Sequence, residues 1–308
     1  MKSVVITGAN GFLGSSVVNA LSESGTEVTC VVRSPESDVS RIKASANVRF
    51  VYCDKMEYKT LAIKLKDKSY DVFYHFAWEG CAGAARGDYK MQTDNIVSTC
   101  DAVTLCGEIS CKRFVFASSI MEYEAIGQVE TDSKLPRTLI YNSAKISADY
   151  MARALADSLG IDYMRALISN IYGPGEKSPR LVNSSIRKFL NGEHCSFSSG
   201  TQLYDFIYID DAVKAFILIG EKGKPRKTYY VGNESPRPLS EFLLELRDIV
   251  APGADSGLGE IPQSGLPSLS YDSFDMKALS EDTGFKTTVS FAEGIRRTRD
   301  WIISKENT

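Results

Sequence analysis

Apolar residues fall along this chain in short runs, Val4–Ile6, Val28–Val32, Val48–Tyr52, Val72–Phe76, Phe114–Ser118 and Tyr163–Ile168, rich in β-branched and aromatic side chains. Each is continuously apolar rather than alternating, which suits a strand covered on both faces. Between them lie segments with helical period, Val17–Ser22, Thr93–Cys106 and Ala144–Leu159. This alternation predicts an α/β fold, a doubly wound parallel sheet with helices on both faces. After Ile171 the character changes. Tyr172-Gly173-Pro174-Gly175 is a breaker cluster, and Pro or Gly recurs at 225, 236, 238, 252, 253, 262 and 267. The expected organisation is a dinucleotide-binding domain over 1–170, with a return to it at about 205–232. A smaller, irregular C-terminal substrate-binding region takes 171–204 and 233–308. The Gly-, Ser- and Pro-rich stretch 251–270 reads as a substrate-side loop, because helical periodicity resumes at Phe291–Ile303.

Composition narrows the function classes. With 43% hydrophobic and 24% charged residues the chain can bury a sizeable core, and a net charge of −3 gives no basic stripe for nucleic acid. The seven cysteines contain no Cys-x-x-Cys, and only His75 and His194 could join them, so no metal site is expected. They read as reduced thiols of a cytoplasmic protein. The N-terminus runs directly into the first strand, and no run of 18 apolar residues occurs, so neither export nor a membrane span is expected.

Thr7-Gly8-Ala9-Asn10-Gly11-Phe12-Leu13-Gly14 follows the first strand and opens a helix, the context of a Rossmann dinucleotide-binding turn. Gly8 and Gly11 let the backbone turn and approach a pyrophosphate, Gly14 lets the helix pack closely, and N–H groups at Asn10 through Leu13 face the anion. The second strand ends Val31-Val32-Arg33-Ser34, without the acid that would hold ribose hydroxyls and repel a 2′-phosphate. Arg33, beside Ser34, is positioned to pair with that phosphate, which favours NADP(H), with NAD(H) the alternative. Asp54, after the third strand, is a candidate partner for the adenine amino group.

Tyr141 and Lys145 are four apart, so phenol and ammonium share one helix face, and an ammonium near a phenol lowers its pKa toward a usable range. With 15 tyrosines in the chain such a pair also arises by chance, and context decides. Ser118-Ser119 ends the strand Arg113–Ala117, at the carboxyl edge of the sheet where ligands bind, and a serine there can hydrogen-bond an oxygen that the tyrosine protonates.

With glycine turn, serine pair and Tyr/Lys in this order, the chain resembles the extended short-chain dehydrogenase/reductase family, in its nucleotide-sugar epimerase, dehydratase and reductase branch. Further matching pieces are His75-Phe76-Ala77-Trp78, Asn95, Ser119-x-x-x-Tyr123, and Arg165 leading to Asn170–Gly175. Tyr204–Asp211 and the closing Gly294-Ile295…Trp301-Ile302 complete them. The resemblance implies that Tyr141 is the general acid/base, that Lys145 holds the nicotinamide ribose and depresses the tyrosine pKa, and that Ser119 shares the substrate oxygen. It implies that Ala77 and Trp78 line the cofactor path, Ile168 lies near the nicotinamide and Asn170 contacts the substrate diphosphate. Asn95 and Arg165 read as structural.

Departures from the family pattern narrow the reaction. Relatives that dehydrate the sugar between C4 and C6 carry an Asp-Glu pair where this chain has Ile120-Met121, and relatives that epimerise C3 and C5 carry a cysteine where Met121 stands. Hydride chemistry at one carbon remains: NADPH-dependent reduction of a 4-keto nucleotide sugar, which Arg33 favours, or a 4-epimerase with tightly bound NAD. Many relatives bind the diphosphate with an arginine where Tyr204 stands and another near Pro267, where Ser268 and Leu269 stand. Arg180 and Arg86 are candidate replacements. The missing arginines keep open a reductase of a non-nucleotide carbonyl compound; a separate alternative is a non-catalytic NADP-binding sensor or scaffold, against which Ser119, Tyr141 and Lys145 are all retained. The resemblance also implies a homodimer through Thr93–Cys106 and Ala144–Leu159.

Overall fold

The computed structural model describes residues 1–127, 134–262 and 269–306. Its centre is a seven-stranded sheet built from β1 (Ser3–Thr7), β2 (Glu27–Val32), β3 (Val48–Tyr52), β4 (Val72–His75), β5 (Arg113–Ser119), β6 (Asp162–Ile168) and β10 (Thr228–Val231). Every pairing is parallel and the order is β10-β6-β5-β4-β1-β2-β3. The six strand runs read from the sequence all fall in this sheet, and the fold is the doubly wound α/β fold expected. The strand order reverses between β1 and β4, and ligands of such sheets bind beyond the carboxyl ends of the strands at that switch.

The continuous apolar runs are explained by what covers each face. Val4, Ile6, Cys30, Tyr74, Val115 and Met164 point to one side, against α1 (Phe12–Glu23) and α7 (Ile209–Lys222). Val5, Val31, Phe73, Phe114, Phe116 and Tyr163 point to the other, against α2 (Leu61–Leu65), α3 (Tyr89–Glu108) and α5 (Leu139–Leu159). Consecutive strand residues alternate between faces, so a strand apolar on both needs no polar alternation.

α5 carries the candidate tyrosine. Ala144, Ala148, Ala152 and Ala156 form a buried stripe at a spacing of four, which brings α5 close to α3, and Gly160 ends the helix in the left-handed conformation. Tyr141 and Lys145 sit on this buried side, in the first turns.

Beyond the sheet, the short helix α4 (Glu122–Ile126) follows β5. Paired β7 (Asn170–Tyr172) and β9 (Phe206–Tyr208), helix α6 (Leu181–Leu190), and paired β8 (Leu203–Tyr204) and β11 (Arg237–Pro238) come next. Helices α8 (Leu239–Val250), α9 (Ala278–Thr283) and α10 (Phe291–Glu306) complete the chain. Pro267 and Ser268, singled out for a missing arginine, lie outside the described residues; Leu269 packs beside Ile120 and Tyr271. All seven cysteines are free thiols. Among the described residues no helix is long and apolar enough to cross a membrane.

Candidate active site

The turn after β1 has the geometry of an anion cradle. Gly8 is left-handed at φ 67°, and a Cβ there would lie 2.6 Å from the Ala77 amide nitrogen. A Cβ on Gly14 would lie 2.2 Å from the Gly8 carbonyl oxygen, so only glycine lets α1 start this close to the turn. Gly11 is the N-cap of α1, no side chain caps the helix and no acid stands in its first turn. Helix-start N–H groups lack intrahelical partners and carry partial positive charge, so these residues fit the pyrophosphate of a nicotinamide dinucleotide. Asn10 is turned to the side and donates to the Asp38 carbonyl at 3.1 Å. Ser34 donates its N–H to Ser37 Oγ at 3.1 Å, closing a turn beside Arg33.

Arg33 stands in a four-charge cluster that the sequence did not announce. Its guanidinium pairs with Glu79 in direct contact and with Asp54 at 3.8 Å, and Lys55 pairs with the same Glu79 at 2.8 Å. Lys55 Nζ also donates to Asn95 Oδ1 at 2.7 Å, while Asn95 Nδ2 donates to the Glu79 carbonyl at 2.8 Å. Asn95 therefore ties the segment after β4 to α3. Asp54 caps the turn at Lys55–Thr60 through Met56 N–H, at 2.9 Å. The signal for Glu79 was its place just past a strand end of a ligand-binding sheet.

Tyr141, Lys145, Ser119 and Trp78 come together beyond the ends of β4 and β5. Ser119 faces the Tyr141 phenol and acts to lower its pKa, and Ser119 Oγ accepts from Met121 N–H at 3.3 Å. Trp78 meets the Tyr141 ring edge-on at 6.0 Å, and its Nε1–H donates to Gln92 at 2.9 Å. Lys145 Nζ lies 3.6 Å from the centre of the Trp78 ring and donates to the Ala117 carbonyl at 2.8 Å. Ile168, at the end of β6, pairs with Ser119 and accepts from Ile120 N–H through its carbonyl at 3.0 Å.

The electrostatics correct one expectation. Burial pushes the Tyr141 phenol up to about 12, Cys81 adds to the rise, and Ser119, Arg86 and Arg180 oppose it. Burial also pulls the Lys145 ammonium down to about 7, against the favourable pull of Glu122. The lysine thus serves the Ala117 carbonyl and Trp78, and the phenol is raised rather than depressed.

The two candidate arginines both reach this tyrosine. Arg86, in the turn Gly83–Gly87, stacks over the Tyr141 ring at 4.6 Å and donates to Asn142 Oδ1 at 2.7 Å. Arg180, at the N-cap of α6, lies 3.5 Å from Glu176 and donates to Cys81 Sγ at 3.9 Å. Asn170 Nδ2 donates to the Asp205 carbonyl at 3.0 Å.

Behind the serines lies a buried ion cluster. Arg165 pairs directly with Glu122 and at 3.6 Å with Asp149, and donates to Ser118 Oγ at 3.2 Å, while Tyr163 donates to Asp149 at 2.9 Å. Glu122 and Asp149 are fully buried. Arg165 thus ties Ser118 on β5 to the buried carboxylates Glu122 and Asp149. A groove of about 1090 Å³ between α1, α7 and α10 is lined by Phe12 but by none of the other candidate site residues.

Residues 4–232 match the NAD dependent epimerase/dehydratase family, and the chain belongs to that family. Among relatives, 97% of the chain is 24% identical to a trifunctional UDP-glucose 4,6-dehydratase/UDP-4-keto-6-deoxy-D-glucose 3,5-epimerase/UDP-4-keto-L-rhamnose-reductase of Arabidopsis thaliana. The chain spans 47% of that relative's length. It is 26% identical over 264 residues to the CDP-abequose synthase of Salmonella typhimurium, covering 82% of each chain. The fold matches the UDP-glucose 4-epimerase of Thermotoga maritima, solved with UDP-glucose, with a TM-score of 0.83 over 99% of both chains at 22% identity.

Proposed function

We propose that this chain is an NADPH-dependent reductase of a 4-keto nucleotide sugar, with Tyr141, Ser119 and Lys145 as its catalytic residues. The observation that carries this reading is the segment after Ser119. Ile120 is buried against Leu167, Tyr230, Tyr271 and Phe274, and Met121 packs on the same cluster, so neither supplies an acid or base for eliminating water. The carboxylates that follow are engaged elsewhere, Glu122 by Arg165 and Ser118 and Glu124 by Asn142 at 3.0 Å. The Arabidopsis thaliana relative, of whose length the chain spans 47%, has a UDP-4-keto-L-rhamnose-reductase as one of its three activities, which supports the reading.

Gly8, Gly11, Phe12, Leu13 and Gly14 would hold the cofactor pyrophosphate, with Asn10 at the rim of the turn. Arg33, Ser34 and Asp54 would meet its adenosine end, and Ala77, Trp78, Lys145 and Ile168 its nicotinamide end. When bound, the reduced nicotinamide supplies a hydride to the keto carbon. Ser119 holds the keto oxygen in hydrogen-bond reach of Tyr141. The Tyr141 O–H bond breaks and a new O–H bond forms on the substrate oxygen, after which the phenolate recovers a proton from solvent. A phenol raised by burial is protonated at neutral pH, which is the state that reduction requires and that oxidation of an alcohol does not. Arg86, Arg180 and Asn170 are the substrate's anchors, with segments 171–204 and 233–308 around the sugar and nucleotide.

The second reading, a 4-epimerase with tightly bound NAD, has the fold likeness behind it. Turnover separates the two. Stoichiometric oxidation of NADPH by a panel of 4-keto nucleotide sugars supports reduction, and absence of turnover with all of them refutes it. The protein is further proposed to be cytoplasmic and homodimeric through α3 and α5, where Val97, Tyr150 and Met151 are exposed.

A further inference from the structure

We infer that Arg86 is a positioning cation for the proton transfer: stacked on the Tyr141 ring, it stabilises the phenolate that the reaction creates, a task that Lys145 is not placed to fill alone. This rests on the reading of Tyr141 as the acid.

The geometry carries the inference. The Arg86 guanidinium carbon is 4.6 Å from the ring centre, and a guanidinium over an aromatic face is attracted by the ring and more strongly once the ring carries negative charge. The side chain is held there from a second direction. Arg86 Nη2 donates to Asn142 Oδ1 at 2.7 Å, and Asn142 Nδ2 donates to Glu124 Oε2 at 3.0 Å. Asn142 is buried and follows Tyr141 directly, so helix α5 carries both the acid and the group that fixes its cation. Arg86 Nε is itself buried without a hydrogen-bond partner, so this edge of the guanidinium has no competing protein acceptor. Lys145, the other cation one turn along α5, has its Nζ on the Ala117 carbonyl and the Trp78 ring.

Five groups face Tyr141: Trp78, Cys81 and Arg86 from the connection between β4 and α3, Ser119 from β5, and Arg180 from the start of α6. Burial and Cys81 disfavour the phenolate, and Ser119, Arg86 and Arg180 favour it. Glu176 is paired with Arg180, and Glu124 is linked to Arg86 through Asn142, so Arg86 is the cation bound to the ring itself. Its position on the glycine-bearing turn Gly83–Gly87 gives it a different anchor from the helix it acts on.

The test compares the wild type with Arg86→Gln, Arg86→Lys and Asn142→Ala. The ionisation of Tyr141 is followed by near-ultraviolet difference absorbance against Tyr141→Phe, with NADP⁺ bound, alongside the pH profile of kcat with a 4-keto nucleotide sugar. An opposite charge this close moves a pKa by about one to three pH units, so R86Q is expected to raise the Tyr141 titration by at least about one. The alkaline limb of kcat moves with it, R86K restores most of the effect, and N142A falls between. Unchanged tyrosinate titration and pH profile in R86Q, with KM alone increased, would overturn the inference and make Arg86 a substrate clamp only. The titration needs no sugar, so failure of every 4-keto sugar to react strikes the proposed function and leaves the Arg86 result to stand or fall by itself.

Discussion

Removing Arg33 probes how the adenosine end of the cofactor is chosen. Arg33 is half exposed and already paired with Glu79 and Asp54, while the part-buried Lys55 holds the other oxygen of Glu79. Two cations and two carboxylates make this cluster neutral. A 2′-phosphate must therefore draw Arg33 away from Glu79, whereas the ribose hydroxyls of NADH ask nothing of it. A hydrogen bond to a charged group contributes about 1.5–3 kcal/mol. Solvent screening at a half-exposed side chain puts Arg33 at the low end, about 1.4 kcal/mol or tenfold in affinity. Arg33→Ala is thus expected to weaken NADPH about tenfold in calorimetric titration and to leave NADH nearly unchanged. Glu79→Gln frees Arg33 from its competitor and is expected to tighten NADPH several-fold, with the gain erased in the double variant. High salt should narrow the NADPH preference, because the exposed part of the pair is screened within about 10 Å at 0.1 M. An unchanged NADPH-to-NADH ratio in R33A would refute the reasoning and remove the main support for NADPH.

Three further outcomes follow from particular contacts. Arg165→Met leaves Glu122 buried without its cation and Asp149 with Arg153 alone, at 3.5 Å, and is expected to cost about 3–5 kcal/mol in denaturant unfolding; a loss near zero would mean that the cluster is open to water. His75 lies buried between Thr7 and Thr99, at 2.8 and 3.1 Å, and burial pulls it down to about 3. The unfolded chain therefore binds a proton that the folded chain refuses between about pH 6.5 and 3, and this single group removes stability as pH falls, by about 1.4 kcal/mol per unit. Asp205, which burial raises to about 6, acts in the opposite sense, so the measured quantity is the difference between wild type and His75→Gln; parallel pH profiles for the two proteins would show that His75 titrates normally. Met151→Lys on the exposed side of α5 is expected to shift sedimentation from dimer to monomer without unfolding the chain, and an unchanged sedimentation profile would remove that face from the dimer interface.

The sheet was legible because each strand carries its own evidence. A run such as Val28–Val32 is apolar on both faces, and both faces are covered. The glycine turn was legible for a related reason: Gly8 and Gly14 answer to clashes within a few residues or at the adjoining strand end, and local sequence order records them. What sequence did not reveal are pairings made across the sheet edge. Arg33 looked free at its strand end, and the carboxylate that holds it comes from the segment after β4. Glu122, an acid in a helix's first turn, is buried against Arg165 from β6. The spacing of Tyr141 and Lys145 put both on one helix face, as expected. It could not show that the Trp78 ring and the Ala117 carbonyl would claim the ammonium while Arg86, from another turn, stacked on the phenol.

Net reduction with Tyr141 as the acid is checked by counting cofactor against product. Purified protein is incubated with NADPH and a 4-keto nucleotide sugar, and oxidised cofactor and product are counted together, with Tyr141→Phe as the control. One NADPH is expected to be consumed for each keto sugar converted, and the rate in the control to be lower by about 10²–10⁴. Conversion of the sugar without net NADPH oxidation, by protein that carries tightly bound NAD, would contradict net reduction.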